Sequence, residues 1–445
     1  MLIAFLVALT SQELKNGSFA EWDGETPAGW EVSVGAGAPN GRESLLAKGS
    51  DGGIAFSGDA ATRRWRTLSQ SVEAASNDVW RLRFEARAQS KLEEGQFNNC
   101  YISIAFLGEK LLDRRLRDIR TAAWTDDAIL LRAPSGTKRI EVRIFLSKTG
   151  SLEVKSLRLD KPDAKESYAI LVDELKRHYS YTEHKKLDLD ALAAKHAGDL
   201  DALLAALRDP HVAIREKNAW RSPFALKAER NGDFGIVARS LKQPHKIIRS
   251  SLIGRTTDGF GYAAIGSLQL SDATFREIEE AIEELLDAPG VILDLRANGG
   301  GDERRAAAIA TKFCDKTRVY AKHTVRGSSE LFERKLEASK TPYTKPVMVL
   351  IGPVTMSSAE GFTMMMKSLP HVTLVGLATR GASGNPQPVD LPNGMTVLYS
   401  TWVDMLPDGT VIEGKGIAPD IEVRHEAGSD KAFERAVEEL KKKAK

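Results

Sequence analysis

Cysteine is almost missing from this 445-residue chain: only Cys100 and Cys314 occur, in regions assigned below to different domains, so no framework of disulfides holds the fold. Charge of one sign is missing too. The 63 basic and 61 acidic residues leave a net charge of +2, which provides no field to gather nucleic acid or an anionic membrane. The one basic run, Lys441 to Lys445, ends a helix expected from Ser429, where cations suit the negative end of the helix dipole. No apolar run is long enough to span a bilayer. The opening Met1 to Leu9 (M-L-I-A-F-L-V-A-L) has the length of a signal-peptide core and does not alternate as a half-buried strand would, so residues 1–12 are expected to direct export to a secreted or periplasmic setting. No lipobox cysteine implies a lipid anchor. There is no H-E-x-x-H and no Cys/His pair at ligand spacing, hence no expected metal or other cofactor.

The length fits about three units, and 42% apolar with 28% charged residues is the composition of a soluble globular protein. From about residue 13 to Lys161, short alternating runs are separated by turn residues, as in Val79 to Ala86, Cys100 to Phe106 and Ile140 to Leu146. Alternation with period two buries one face, so this region reads as an all-β sandwich. Its opening N-G-S-F-A-E-W, followed by P-A-G-W around Trp30, resembles the start of carbohydrate-binding-module-like jelly rolls, which implies a carbohydrate as a partner. The aromatics Trp22, Trp30, Trp65 and Trp80 read individually as core. After K-P-D-A-K at Lys161 the period becomes helical. Tyr168, Ile170, Leu171, Leu175 and Tyr179 form one stripe and Leu192 to Leu207 another, so residues 162–210 read as a small helical bundle. From 211 to 445 buried strands (Val291 to Leu295, Val347 to Ile351) alternate with helices (Ser271 to Leu286, Glu303 to Phe313), which is α/β layering.

Four elements could carry chemistry. Asp294 to Gly301 (D-L-R-A-N-G-G-G) follows a buried strand, and its glycines let backbone N–H groups approach another group closely. The spacing is not that of a nucleotide loop. Met356 to Phe362 (M-S-S-A-E-G-F) follows the next buried strand; Ser357 with Glu360 fits a capping box, and a serine at the positive end of a helix also suits nucleophilic chemistry. Asp209-Pro210-His211 forms a tight turn where the α/β region begins. Glu413 lies in V-I-E-G-K-G-I-A-P-D between two strand-like runs and reads by itself as a turn carboxylate.

Together these elements resemble the serine peptidase superfamily that includes C-terminal-processing peptidases, the tricorn core and the interphotoreceptor retinoid-binding repeats, over about Tyr168 to Val423. The resemblance implies a ClpP/crotonase-like α/β peptidase core, with Ser357 as nucleophile, an oxyanion hole from the amides of Ser358 and of Gly299 or Gly300, and substrate contacts at Ser383 and Gly384. The processing branch places a basic lysine in a turn that here reads Thr379-Arg380-Gly381-Ala382. An arginine, protonated below ~12, cannot act as that base. The resemblance therefore points to His211 as the base, with Glu413 orienting it. Only about fifty residues separate His211 from Tyr262, too few for an inserted PDZ domain. A peptide or protein is the implied substrate. A non-catalytic binding protein on the same fold, or an esterase acting on acylated glycans, are the alternatives.

Overall fold

The computed structural model describes residues 14–34, 46–58, 66–89, 100–146, 150–224, 227–228, 231–328 and 330–443. The expected signal peptide, residues 1–12, and Trp65 lie outside them. The chain divides into two compact units: residues 1–177 with 214–220 and 388–397, and residues 178–213, 221–387 and 398–445. Residues 162–210 are shared between the two. Helix α1 (Ser167–His178) packs with the first unit, while α2 (Leu189–Lys195) and α3 (Leu200–Ala206) belong to the second.

Two five-stranded antiparallel sheets build the first unit. One orders its strands Thr125–Arg132, Val79–Gln89, Gly150–Asp160, Ile54–Gly58, Leu46–Lys48; the other orders Glu31–Val34, Arg66–Glu73, Arg139–Leu146, Cys100–Leu107, Leu111–Asp118. Alternation sets their faces. Ile140, Val142, Ile144 and Leu146 stand opposite Phe106, Ile104, Ile102 and Cys100, and all eight enter one apolar cluster fed by both sheets. Trp30 and Trp80 are in that cluster, and Trp22 packs on its edge. Tyr101 and Phe145, on the opposite face, stack with centroids 4.5 Å apart. Helix α1 buries Ile170, Leu171 and Leu175, and its Glu174 accepts from Arg117 at 3.0 Å.

The second unit is organised by a seven-stranded sheet in the order Lys246–Ile248, Ser251–Arg255, Gly261–Ala264, Val291–Asp294, Val347–Ile351, Val372–Gly376, Ile421–Glu422. Its first two pairings are antiparallel and the remainder parallel. The central strands Gly261–Ala264, Val291–Asp294 and Val347–Ile351 are buried at every position, because both faces are covered. Val291, Leu293, Val347 and Val349 join a cluster containing residues of α5 (Asp272–Glu283), α6 (Glu303–Thr311) and α7 (Ser358–Lys367). Ile292, Met348 and Leu350 join another, containing Val237 of α4 (Phe234–Arg239) and Phe433, Ala436 and Leu440 of α8 (Lys431–Lys443). A three-stranded sheet, Phe332–Leu336, Arg318–Val325, Trp402–Met405, completes this unit. Among the described residues no helix is long and apolar enough to cross a membrane.

Three neighbouring parallel strands end side by side at Asp294, Ile351 and Gly376. Loops at the carboxyl ends of parallel strands are where open α/β sheets place their sites. Here those loops are 295–302, 352–357 and 377–386.

Candidate active site

Ser357 stands between strand Val347–Ile351 and α7, with φ 57° and ψ −128°. A non-glycine residue there is strained unless its surroundings hold it. They do so through the backbone: the Ser357 N–H donates to the Ala382 carbonyl at 2.8 Å and to Glu360 Oε2 at 3.1 Å. The Glu360 N–H in turn donates to the Ser357 carbonyl at 2.7 Å. The glutamate half of the expected capping box is therefore present.

Glu360 does more than cap. Its Oε1 accepts from Thr379 Oγ1 at 2.6 Å and Gly381 N–H at 2.7 Å, and its Oε2 from Ala382 N–H at 2.9 Å. Loop 379–382 is thereby fastened to the start of α7. Complete burial pushes the Glu360 carboxyl up to about 7, against the four donors that pull it back. The loop also holds the Glu413 segment, since Thr379 Oγ1 accepts from Ile417 N–H at 2.7 Å and the Gly381 carbonyl from Gly414 N–H at 2.7 Å.

The glycine loop comes up on the other side of Ser357. A Cβ at Gly300 (φ 101°) would sit 2.9 Å from both the Met356 carbonyl oxygen and Ser357 Cβ, and 3.1 Å from Ser358 N, so only glycine allows this approach. The Gly300 N–H is committed to Asn298 Oδ1 at 2.8 Å, whereas the Gly299 and Ser358 N–H groups are committed to no acceptor in the described residues. Asn298 is completely buried and anchored by its amide on the Ile265 carbonyl at 2.9 Å. Arg296 fixes the base of the loop, bonding Asp294 at 2.6 Å and Asp430 at 2.7 Å with all three side chains buried. Burial alone would lower Arg296; the two carboxylates outweigh it and raise it.

Ser383 and Gly384 follow directly. Ser383 Oγ donates to Asp404 Oδ2 at 2.6 Å, its carbonyl accepts from Tyr181 at 2.6 Å, and the Gly384 carbonyl accepts from Thr401 and Trp402 N–H at 2.8 and 3.0 Å. Both carbonyls are thus engaged internally.

His211 lies in a tight turn, its N–H donating to Asp209 Oδ1 at 2.8 Å, and is 7% exposed. Both ring nitrogens are buried and make no hydrogen bond, to Ser357 or to any other described residue. Burial lowers its pKa; Asp209 and Asp404 act in the opposite direction, and Lys185 and Arg380 add to the lowering. The lowering favours the neutral imidazole, the form a general base needs. Glu413 is buried with Oε1 on Lys185 Nζ at 2.7 Å and Oε2 unpartnered. Burial, reinforced by the Asp209 charge, raises it to about 8.

The structure therefore groups Ser357, Ser358, Gly299, Gly300 and Ser383 around one helix start. It places His211 and Glu413 in an adjacent buried polar cluster without bonding them to each other. Sequence reading overlooked Lys185, Asp209 as a charge beside His211, Arg334 and Asp404. Asp209 stands only two residues from His211, but the partners of Lys185, Arg334 and Asp404 are distant in the chain, and only an odd charge within an otherwise apolar strand, such as Asp404 in W-V-D-M, marks such positions.

Residues 260–423 match the model of Peptidase family S41. The chain is 31% identical over 163 residues to the carboxy-terminal processing protease CtpA of Bacillus subtilis, which covers 35% of this chain and 34% of the relative. It is 26% identical over 155 residues to a probable CtpA-like serine protease of Staphylococcus aureus, with 35% and 30% covered. The chain thus spans about a third of the length of these curated relatives. A putative peptidase from Parabacteroides merdae shares the fold at a TM-score of 0.56 and 23% identity, over 63% of this chain and 97% of that one. His211 lies outside the matched segment, whereas Ser357, Glu413 and both loops lie inside it. Over residues 260–423 this chain is similar to the S41 peptidases, in line with the resemblance to the C-terminal-processing peptidases.

Proposed function

We propose that this chain is a serine peptidase in which Ser357 attacks the scissile carbonyl, His211 takes its proton, and Glu413 orients the imidazole through its unengaged Oε2. The amides of Ser358 and Gly299 form the oxyanion hole, because the Gly300 amide is already donated to Asn298. One observation carries this reading: a strained serine at a helix start, pressed against a glycine loop, with two backbone donors left uncommitted beside it. Such donors stabilise the charge that develops on a tetrahedral intermediate, and losing one costs about 10²–10³ in turnover. His211 passes the Ser357 proton to the leaving amine as the acyl-enzyme forms; it then takes a proton from the attacking water and returns it to Ser357 Oγ as the carboxylic acid product leaves. The matched S41 segment supports peptide bonds as the substrate, and the Met1–Leu9 run supports a secreted or periplasmic setting.

The first unit supports a second role. Its strand order, with the chain passing repeatedly between two sheets, supports the jelly-roll reading. The half-buried Tyr101 and Phe145, stacked on each other on the face opposite the apolar cluster, supply aromatic surface of the kind that contacts a sugar ring.

The test is labelling by an activated fluorophosphonate with peptide mapping of the adduct. The expected result is one adduct on Ser357, absent in Ser357→Ala and slowed about 10³-fold or more in His211→Ala. A folded chain that takes no label overturns the enzyme reading in favour of a binding protein. Label with turnover of acetylated glycans and no peptide cleavage would make it an esterase.

A further inference from the structure

Asp404 lies in the strand Trp402–Met405, completely buried, outside the four motifs. One carboxylate oxygen accepts from Ser383 Oγ at 2.6 Å; the other accepts from Arg334 and from the Met405 N–H at 3.2 Å. Arg334 also reaches Glu303 Oε1 at 2.7 Å, which accepts from Tyr320 at 2.8 Å, and its guanidinium lies over the rings of Tyr320 and Trp402. Glu303 in turn presses on the nucleophile helix, where a Cβ at Gly361 would sit 2.8 Å from its Oε1.

These contacts close a circuit. It runs from Ser357 through Ala382 and Ser383 to Asp404, then through Arg334 and Glu303 to Gly361, one turn along the helix that Ser357 begins. Arg334 faces two carboxylates, the buried Asp404 and the part-exposed Glu303, so this stretch of the circuit is held by charge-assisted bonds, roughly twice as strong as neutral ones. A nucleophile must stand within a few tenths of an ångström of its reacting position, and a misplacement of about 1 Å costs about 10²-fold.

Building on the serine-hydrolase reading, we propose that Asp404 is a positioning residue: braced by Arg334, it anchors Ser383 and so fixes the loop whose Ala382 carbonyl holds the Ser357 amide. Its action runs through the Ser383 hydroxyl. Removing that hydroxyl should weaken the site as removing the carboxylate does, and a hydroxyl of different shape should restore it.

The experiment measures second-order rates of fluorophosphonate labelling at Ser357 in the full chain and in Ser383→Ala, Ser383→Thr, Asp404→Asn and the double variant Ser383→Ala/Asp404→Asn, with a thermal unfolding midpoint for each. Expected are rates about 10-fold lower for Ser383→Ala and Asp404→Asn, a double variant no slower than the worse single one, and recovery to within about 3-fold in Ser383→Thr. Folded variants that label at the parent rate, or a double variant whose losses multiply, overturn the proposal while leaving the serine site standing. A folded parent that takes no label brings down both readings together. Should Asp404→Asn fail to fold, the Ser383 pair decides alone.

Discussion

The two units differ in how much charge they bury: the first sinks Arg66, Arg81, Asp127 and Glu174, the second more, and around its loops. In the first, the apolar cluster consists of alternating aliphatic and aromatic side chains, and ion pairs such as Arg87 with Glu153 (2.9 Å) or Lys155 with Glu85 (3.0 Å) stay at least partly in water. In the second, charges go to the interior: Asp294, Arg296, Asp430, Glu360, Asp404 and Glu413 are each at most 5% exposed. A buried ion pair is a weak source of stability, since desolvation offsets most of its Coulombic gain, and breaking one is expensive. The contrast teaches that the first unit is built to hold shape and the second to hold geometry around particular atoms.

Breaking each unit by its own weakness gives the sharpest test. Arg296→Ala leaves Asp294 and Asp430 buried without their partner and is expected to cost about 3–5 kcal/mol, read as the denaturant midpoint of the second unit. Ile144→Ala, in the first unit, leaves a cavity and is expected to cost about 2–5 kcal/mol, with Ser357 labelling by the remaining folded protein unchanged. A large loss of labelling in folded Ile144→Ala would show that shape and chemistry are not separated as argued.

A subtler pair lies within the glycine loop. Gly300→Ala pushes a Cβ into Met356 and Ser357 at a left-handed φ and should slow labelling about 10²-fold. Gly299→Ala meets nothing within 4 Å and keeps its N–H, so it should label within a few-fold of the parent. Equal rates in the two variants would contradict the close packing described for Gly300.

The smallest effect concerns pH. Glu413 and Glu360 are raised to about 8 and about 7 in the folded chain, above the ordinary value of about 4.3. Between about pH 4.5 and 8 the unfolded chain has therefore already released protons that the folded chain keeps, and stability falls as pH rises through that window. Glu413→Gln removes one of these groups, so its thermal midpoint should decline less from pH 5 to pH 8 than the parent's. The lowered His211 acts the other way, favouring stability as pH rises toward about 6.5, and is present in both proteins. An equal or steeper decline in Glu413→Gln would show that Glu413 is not the titrating group.

Much of this was legible in the sequence wherever the determining contacts are local. Val347–Ile351 spans the residues its apolar run marks, Ser271 caps α5, and the alternation of Ile140 to Leu146 gives the buried face of its strand. The Ser357 segment and the glycine loop were legible as local features, a helix start and a turn after buried strands, while the chemical role proposed for them came from the resemblance. What stayed hidden joins distant parts of the chain. Arg334 meets Asp404 across 70 positions, and Lys185 takes one oxygen of Glu413, leaving only the other for His211. The second role of Glu360, tying loop 379–382 to the helix, could not be told from an ordinary cap until the fold brought the loop to it.

The backbone at Ser357 sorts side chains before any chemistry begins. At φ 57° a β-branched residue is a steric outlier, while an unbranched one is tolerated. Threonine, although a hydroxyl nucleophile, is therefore shut out of this position, and cysteine is admitted. The turn that displays the proposed nucleophile also restricts which nucleophiles could ever have stood there.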